Sequence, residues 1–252
     1  MRKIDYLRIS VTDRCNMRCF YCMPAEGIET VPPSEVLSFE EILRLVKIFG
    51  ELGIKRVRLT GGEPLVRKGI INLVKSISKI REIEEVSLTT NGLLLEHFAA
   101  DLKSAGLRRI NVSLDTLKAD RFKMITGFDN LSMVLKGIEK AKEVGLLPVK
   151  LNTVLMKGIN DDGIIDFLLY AGGNDLVLRF IEFMPVTPLW NKDYFLSIEE
   201  VKEICARNFK LTKIPLFGPG PAEYYQWEDL VVGFIKTSRD NCCSCNRLRL
   251  TS

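Results

Sequence analysis

The strongest constraint on how this chain can fold is a repeated alternation of short apolar strands with amphipathic helices. Alternating or β-branched runs predict strands at residues 7–11, 57–60, 86–89, 110–114, 149–154 and 178–183. Helical periodicity lies between them, at residues 39–52, 69–80, 93–105, 130–144 and 161–171. Ser38 with Glu41 predicts a capping box at the start of the first helix. Six strand–helix repeats predict an α/β fold with a parallel sheet, either doubly wound or a barrel.

The positions of the unusual residues favour a barrel over an open sheet. Cysteines and Gly-Gly, Asn-Gly, Ser-Leu-Asp and Met-Pro sequences lie at or just after the carboxyl ends of the predicted strands. A barrel builds its site from the carboxyl ends of all its strands, whereas an open sheet uses mainly its switch point. Six repeats rather than eight predict an incomplete (β/α)6 TIM-type barrel of parallel strands, formed by residues 1–185. We predict that residues 186–252 form a C-terminal extension, with short strands within 224–235, that closes the open side.

Composition is that of an ordinary globular protein, with 46% hydrophobic and 27% charged residues. No apolar run approaches the ~20 residues that a membrane-spanning helix needs, and residues 1–5 carry no apolar signal core. We therefore expect a cytoplasmic protein with no membrane partner. A net charge of +4 is too mild to indicate nucleic acid as a partner.

Three cysteines, Cys15, Cys19 and Cys22, share one loop after the first predicted strand. Thiolates hold iron–sulfur clusters, and three ligands leave one iron of a four-iron cluster open to another group. A structural zinc site is the alternative, but zinc in such sites takes four protein ligands. The only histidine, His97, lies in a predicted helix and is expected at the surface. Cys205 lies in an amphipathic helical stretch and is expected to be buried packing.

The Cys-x3-Cys-x2-Cys spacing, with an aromatic residue before the last cysteine, resembles the signature of the radical S-adenosylmethionine (SAM) superfamily. In that superfamily the open iron of a [4Fe–4S] cluster chelates SAM, and reduction cleaves SAM to a 5′-deoxyadenosyl radical. The Gly-Gly-Glu-Pro sequence at residues 61–64 fits the same interpretation, because glycines let the backbone approach SAM closely. The resemblance implies SAM contacts by Tyr21, Gly62, Ser113 and Met184.

The cysteines near the end sharpen the resemblance to one family, the GTP 3′,8-cyclases of molybdenum cofactor biosynthesis. Residues 242–251, CCSCNRLRLT, match the CxxCNRLRLT element of that family. The resemblance implies that Cys242 and Cys245 supply two of three thiolates to a second [4Fe–4S] cluster, whose open iron meets the guanine base. The family's GTP-binding positions correspond to Arg8, Arg58, Thr89, Lys150, Arg247 and Arg249, with Arg56 and Arg179 as additional candidates.

The chemistry of these basic residues suits a triphosphate independently of the resemblance. Guanidinium groups bind phosphate oxygens bidentately, and Lys150 offers a compact charge. Several cations inside a barrel would be costly to bury without an anion to meet them. An outward-facing strand charge is the alternative for any single one of them.

The reaction that the resemblance implies is the conversion of GTP to 3′,8-cyclo-7,8-dihydro-GTP, the first step towards molybdopterin. The deoxyadenosyl radical takes hydrogen from C3′ of the ribose, and the resulting C3′ radical attacks C8 of guanine. The family also implies an electron donor, a downstream cyclic pyranopterin monophosphate synthase and a possible homodimer. The alternatives are a radical SAM maturase of a peptide or tetrapyrrole, and a non-catalytic iron–sulfur electron carrier. The Asn-Arg-Leu-Arg run at 246–249 argues against the maturase. An electron carrier would need a fully ligated cluster, so ligation by three thiolates argues against it.

The chain departs from the family pattern at its end. The family places a third ligating cysteine and a Gly-Gly tail after the CNRLRLT element, and these 252 residues contain neither. Cys243 is a poor substitute for that ligand, because adjacent side chains in an extended segment point in opposite directions. We therefore expect the second cluster to be incomplete, missing or labile, with SAM cleavage retained and little cyclised nucleotide formed.

Overall fold

A computed structural model of the protein describes residues 4–24, 26–27, 31–32, 34–185, 187–215, 220–236 and 246–251. The helices are α1 (Phe39–Glu51), α2 (Ile70–Ile77), α3 (Leu95–Ser104), α4 (Ala119–Thr126), α5 (Leu131–Glu143), α6 (Ile164–Gly172) and α7 (Ile198–Ala206). The strands are β1 (Tyr6–Ser10), β2 (Arg56–Thr60), β3 (Glu85–Thr90), β4 (Arg109–Ser113), β5 (Lys150–Leu155), β6 (Val177–Glu182), β7 (Thr212–Ile214), β8 (Glu223–Trp227), β9 (Leu230–Ile235) and β10 (Arg247–Leu250).

These ten strands form one sheet, in the order β10-β1-β2-β3-β4-β5-β6-β9-β8-β7. Strands β1 to β6 are parallel neighbours in chain order, as the strand–helix repeat predicts. Within the described residues the two edge strands, β10 and β7, do not pair with each other, so the sheet is not closed. The incomplete parallel barrel predicted from the sequence is confirmed.

The C-terminal extension adds strands to both edges of the sheet. Strand β10 pairs in parallel with β1, while β9 pairs in parallel with β6 and carries the antiparallel strands β8 and β7. A Cβ atom at Gly220, before β8, would lie 3.1 Å from Nη2 of Arg247 on β10. The segment before β8 therefore approaches the side chain of Arg247 across the open side. The division of the chain at residues 185 and 186 stays a prediction.

Alternation along the strands separates an outer apolar face from an inner polar face. On β6, Leu178 and Phe180 pack in the main core under the helices, whereas Val177 packs with Ala222 and Tyr224 in a separate inner cluster. On β1, Leu7 belongs to the same outer core. The residues between these outer positions line the barrel interior, which we call the lumen.

Several local features agree with the sequence, whereas helix α4 and the strands β7 and β10 were not predicted. The Ser38–Glu41 capping box is present, Cys205 is 0% exposed and His97 is exposed on α3, all as predicted. Helix α4 was not predicted: it has no side-chain N-cap and ends after only two turns at Gly127, which has a φ of 74°. No described helix combines the length and the apolar character that crossing a membrane requires.

Candidate active site

The loop that carries the three cysteines leaves the carboxyl end of β1 and is anchored by α4. The backbone N–H groups of Arg18 and Phe20 donate to the carbonyls of Thr126 and Ile125, at 2.9 and 3.0 Å. These carbonyls are available because the last turn of a helix leaves its C=O groups without intrahelical partners. Helix α4 therefore fixes the position of the cysteine loop.

The three thiols lie close enough together to interact electrostatically. Burial raises the pKa of Cys15, Cys19 and Cys22, and electrostatic repulsion among the three raises the pKa values of Cys19 and Cys22 further. No three His, Cys, Asp or Glu side chains of the described residues are close enough to share one metal ion. Three thiols on one loop suit a four-iron cluster with one open iron, and the positive charge of iron would favour their deprotonation.

The Gly-Gly turn after β2 packs directly against the cysteine loop. Gly62 N donates to Thr12 O at 2.7 Å, and Glu63 N donates to Arg14 O at 2.8 Å. A Cβ atom would lie 2.5 Å from Thr12 O at Gly61, and 2.3 Å from Arg14 O at Gly62. Close packing against the backbone of the cysteine loop therefore requires glycine at both positions. The sequence alone did not indicate this packing.

A buried carboxylate, Glu63, connects this turn to the end of β3. It is 1% exposed and accepts hydrogen bonds from Leu65 N at 3.0 Å, the Thr90 hydroxyl at 2.7 Å and Asn91 N at 2.6 Å. Burial raises the pKa of Glu63, and these three hydrogen bonds oppose the shift. The sequence reasoning quoted Glu63 in its motif without assigning this role.

Asn91 extends the same network to the first cysteine. Its Oδ1 accepts from Leu93 N at 3.1 Å, which directs Nδ2 towards the cysteine loop. Nδ2 donates to Asn16 Oδ1 at 2.7 Å and lies 3.8 Å from Cys15 Sγ. The ends of β2 and β3 thus hold the loop through side chains as well as through the backbone.

Tyr21, a predicted SAM contact, is fixed by Asp115. The phenol donates to Asp115 Oδ2 at 2.5 Å, and Asp115 Oδ1 accepts from Val154 N at 2.8 Å. Burial raises the pKa of Asp115 to about 6. The other predicted SAM contacts lie at the same carboxyl rim of the sheet: Ser113 is the last residue of β4 and Met184 follows β6.

Cations crowd the lumen below this rim. In the sheet register Arg8 on β1 is opposite Arg58 on β2 and Arg249 on β10. Burial, together with the charge of Arg179, lowers the pKa of Arg58 to about 10 and that of Lys150 to about 7. Burial also lowers the pKa of Arg8 and of Arg179. The lumen therefore holds more positive charge than its own groups stabilise.

The acids near this face are already engaged. Asp5 forms an ion pair with Arg56 and accepts from Asn246 Nδ2 at 2.6 Å. Glu85 accepts from Arg109 Nη2 at 2.6 Å. Since its guanidinium is held by Asp5, Arg56 is a weaker candidate for an additional ligand than Arg179.

Buried side-chain atoms without a hydrogen-bond partner concentrate on this same face. Among the described residues they are Tyr6 OH, Arg56 Nε, Asn111 Oδ1, Asn152 Oδ1, Arg179 Nε and Nη2, and Arg247 Nε. Every one lies at an inward-facing strand position. Buried polar atoms of native proteins are almost always hydrogen-bonded, so the lumen has the character of a binding site for a polar, anionic ligand.

The remaining predicted site residues differ in their exposure to solvent, and two lie outside the described residues. Thr89 is half-buried on the lumen side of β3, where its hydroxyl accepts from Asn111 Nδ2 at 3.4 Å. Arg249 is exposed on the edge strand β10. Cys242 and Cys245, the predicted ligands of a second cluster, lie outside the described residues. Sequence reasoning missed Tyr6 and Asn111, although both share the strand alternation that places Arg8 and Lys150 inward.

Comparison with known protein families assigns the chain along its whole length. A family model described as the Radical SAM superfamily matches residues 9–171, and one described as Molybdenum Cofactor Synthesis C matches residues 176–252. A GTP 3′,8-cyclase of Petrotoga mobilis is 48% identical over 256 residues, which cover 100% of this chain and 79% of that protein. Another, from Thermodesulfovibrio yellowstonii, is 49% identical over 257 residues, covering 100% of this chain and 80% of that protein.

Solved structures share the fold at lower sequence identity. SuiB of Streptococcus suis bound to S-adenosylmethionine has a TM-score of 0.67 and 18% identity, over 94% of this chain and 51% of that chain. The anSMEcpe protein with bound AdoMet has a TM-score of 0.61 and 20% identity, over 78% of this chain and 56% of that chain. The chain thus matches about half the length of these structural neighbours. From its three-thiol loop, its partial barrel and relatives nearly half identical to it, the chain belongs to the radical SAM superfamily and, within it, to the GTP 3′,8-cyclase family.

Proposed function

We propose that this protein is a GTP 3′,8-cyclase that converts GTP to 3′,8-cyclo-7,8-dihydro-GTP in the first step of molybdenum cofactor biosynthesis. The observation that carries the proposal is the set of buried cations and unpartnered polar atoms in the lumen, below a loop with three thiols. A triphosphate supplies the anion that this lumen lacks. The family membership of the chain supports the same reaction.

Cys15, Cys19 and Cys22 would hold a [4Fe–4S] cluster, and Tyr21, Gly62, Ser113 and Met184 would contact SAM. When bound, these groups would supply the deoxyadenosyl radical that takes hydrogen from C3′ of GTP. The protein's part is to position SAM and GTP and to exclude water from the reacting groups. The hydrogen bonds that Tyr21 donates to Asp115 and that Asn91 donates to Glu63 keep the rim in one arrangement.

The lumen cations would bind the triphosphate. Arg8, Arg58 and Lys150 lie along β1, β2 and β5, away from the loops that follow the strand ends. A nucleotide held by its phosphates at that depth would direct its ribose towards the rim, where SAM would lie. Thr89, Arg179, Arg247 and Arg249 complete the proposed substrate-binding set.

A second [4Fe–4S] cluster, with Cys242 and Cys245 as ligands, would meet the guanine base. Their CxxC spacing suits two neighbouring ligands of one cluster. We further propose a cytoplasmic location, an external electron donor, a downstream cyclic pyranopterin monophosphate synthase and a possible homodimer, as the family implies.

A binding experiment tests the substrate assignment without requiring turnover. GTP should bind more tightly than guanosine at low salt, and the difference should shrink as the salt concentration rises. Arg58→Ala should weaken GTP binding about tenfold or more, since charged hydrogen bonds in buried sites are worth that much, while SAM binding is retained. Arg207→Ala, an exposed position after α7, is the matched control and should change neither. Equal affinity for GTP and guanosine at low salt would rule out the triphosphate site.

A further inference from the structure

Tyr6, the first residue of β1, is an unexplained group in the lumen. Its side chain is 1% exposed, and its hydroxyl is buried with no hydrogen-bond partner among the described residues. Buried hydroxyls without partners are costly, so proteins keep few of them. Leu7 and Ile9 occupy the outer face of β1. Because side chains alternate along a strand, the ring of Tyr6 faces the lumen.

The ring of Tyr6 lies between two of the proposed substrate-binding arginines. The guanidinium carbons of Arg58 on β2 and Arg247 on β10 are each 5.4 Å from its centroid. These strands flank β1 on opposite sides. Arg8 is two residues further along β1 and faces the same side of the sheet as Tyr6.

The surroundings of the hydroxyl determine what could bind it. Its charged neighbours are hydrogen-bond donors, and the nearby acids Asp5 and Glu85 are engaged by Arg56 and Arg109. A hydroxyl enclosed by donors is best satisfied by an acceptor that also accepts from those donors. A phosphate oxygen has this property, since it accepts several hydrogen bonds and carries charge.

The depth of Tyr6 indicates which phosphate it would meet. It begins β1, whereas the cysteine loop follows the other end of that strand. A nucleotide with its ribose at the rim and its phosphates in the lumen presents its terminal phosphate furthest from the rim. The first residue of the strand is therefore opposite the γ-phosphate rather than the α-phosphate.

We propose that Tyr6 is a specificity-determining residue whose hydroxyl donates to the terminal phosphate of the nucleoside triphosphate, so that the site prefers GTP to GDP. This assignment rests on the proposed function and deepens it. Tyr6 holds the substrate at the end remote from the reacting carbon, and its ring keeps Arg58 and Arg247 apart so that both can reach phosphate oxygens.

The test compares Tyr6→Phe with the unsubstituted protein by measuring dissociation constants for GTP and GDP. Tyr6→Phe should weaken GTP binding about tenfold while changing GDP binding little, because a hydrogen bond to a charged group is worth that factor. Tyr225→Phe is the matched control, since its ring packs on Phe234 at 5.5 Å on the outer face; it should leave both constants unchanged.

Thermal unfolding separates a ligand contact from a structural role. Because the hydroxyl has no partner, unliganded Tyr6→Phe should unfold at the same temperature as the unsubstituted protein or higher, while GTP raises that temperature less. An unchanged ratio of GTP to GDP affinity, or a clear loss of stability without ligand, overturns the assignment of Tyr6 alone. Failure of the unsubstituted protein to bind either nucleotide overturns the proposed function, and the role of Tyr6 with it.

Discussion

Affinity for GTP should fall as the pH rises above about 7, because Lys150 must be protonated to meet a phosphate. Burial lowers the pKa of Lys150 to about 7, and the charges of Arg179, Arg109 and Arg58 act in the same direction. The side chain is 3% exposed, so solvent does little to restore the usual value. A bound triphosphate brings the opposite charge and raises the pKa again.

The sign and size of this pH dependence follow from proton linkage. Above the pKa of the free protein, Lys150 is mostly neutral and GTP binding must take up a proton. The dissociation constant should then rise about tenfold per pH unit until the pKa of the bound state is reached. The same depressed pKa affects the stability of the unliganded protein. In the unfolded chain Lys150 keeps its proton to a higher pH than in the folded protein, so stability rises as the pH goes from about 7 towards the usual lysine pKa.

The assay is equilibrium binding of GTP between about pH 6.5 and about pH 8.5, with Lys150→Arg as the matched variant. Arginine stays protonated throughout this range. The GTP affinity of Lys150→Arg therefore depends on pH only through the ionisation of the nucleotide and of the other groups. The unsubstituted protein should lose affinity more steeply than Lys150→Arg. Equal slopes in the two proteins would refute the assignment of a titrating Lys150 to the phosphate site.

Three further predictions concern the iron sites. Alanine at Cys15, Cys19 or Cys22 should abolish reductive cleavage of SAM, because a three-ligand site has no spare thiolate; undiminished 5′-deoxyadenosine production in all three variants would refute the cluster assignment. Gly62→Ala should lower iron content and thermal stability, because its Cβ would lie 2.3 Å from a carbonyl oxygen, whereas Gly163→Ala meets nothing within 4 Å and should change neither. A variant with all three loop cysteines replaced should retain little tightly held iron, and about four irons stable to a chelator would mean that another ligand completes the second cluster.

The fold was largely predictable because its signals are local. Strand alternation and the Ser38–Glu41 capping box depend on residues within one turn or one strand. Helix α4 was missed because no capping side chain marks its start and it spans only eight residues. Strand β10 was missed as a strand because its pairing of Arg247 with Tyr6 joins residues at opposite ends of the chain, for which no local pattern exists.

The candidate site was predictable in its residue types but not in its network. The cysteine spacing and the strand arginines were visible in the sequence, and their roles as ligands stay predictions. The hydrogen bonds that Asn91 donates to Glu63 and that Tyr21 donates to Asp115 join elements distant in sequence. The unpartnered hydroxyl of Tyr6 is likewise a property of three-dimensional packing, since only the assembled lumen defines which polar atoms lack partners.

The most direct test of the central claim is transfer of deuterium from GTP labelled at C3′ into 5′-deoxyadenosine. The protein is reconstituted with iron and sulfide without oxygen, reduced, and given SAM with the labelled nucleotide; the nucleoside is then analysed by mass spectrometry. If the lumen holds the triphosphate and the rim holds SAM, the 5′-deoxyadenosine will carry deuterium, and Arg58→Ala will reduce the labelled fraction. SAM cleavage that proceeds equally with and without GTP, and yields only unlabelled 5′-deoxyadenosine, would contradict the account.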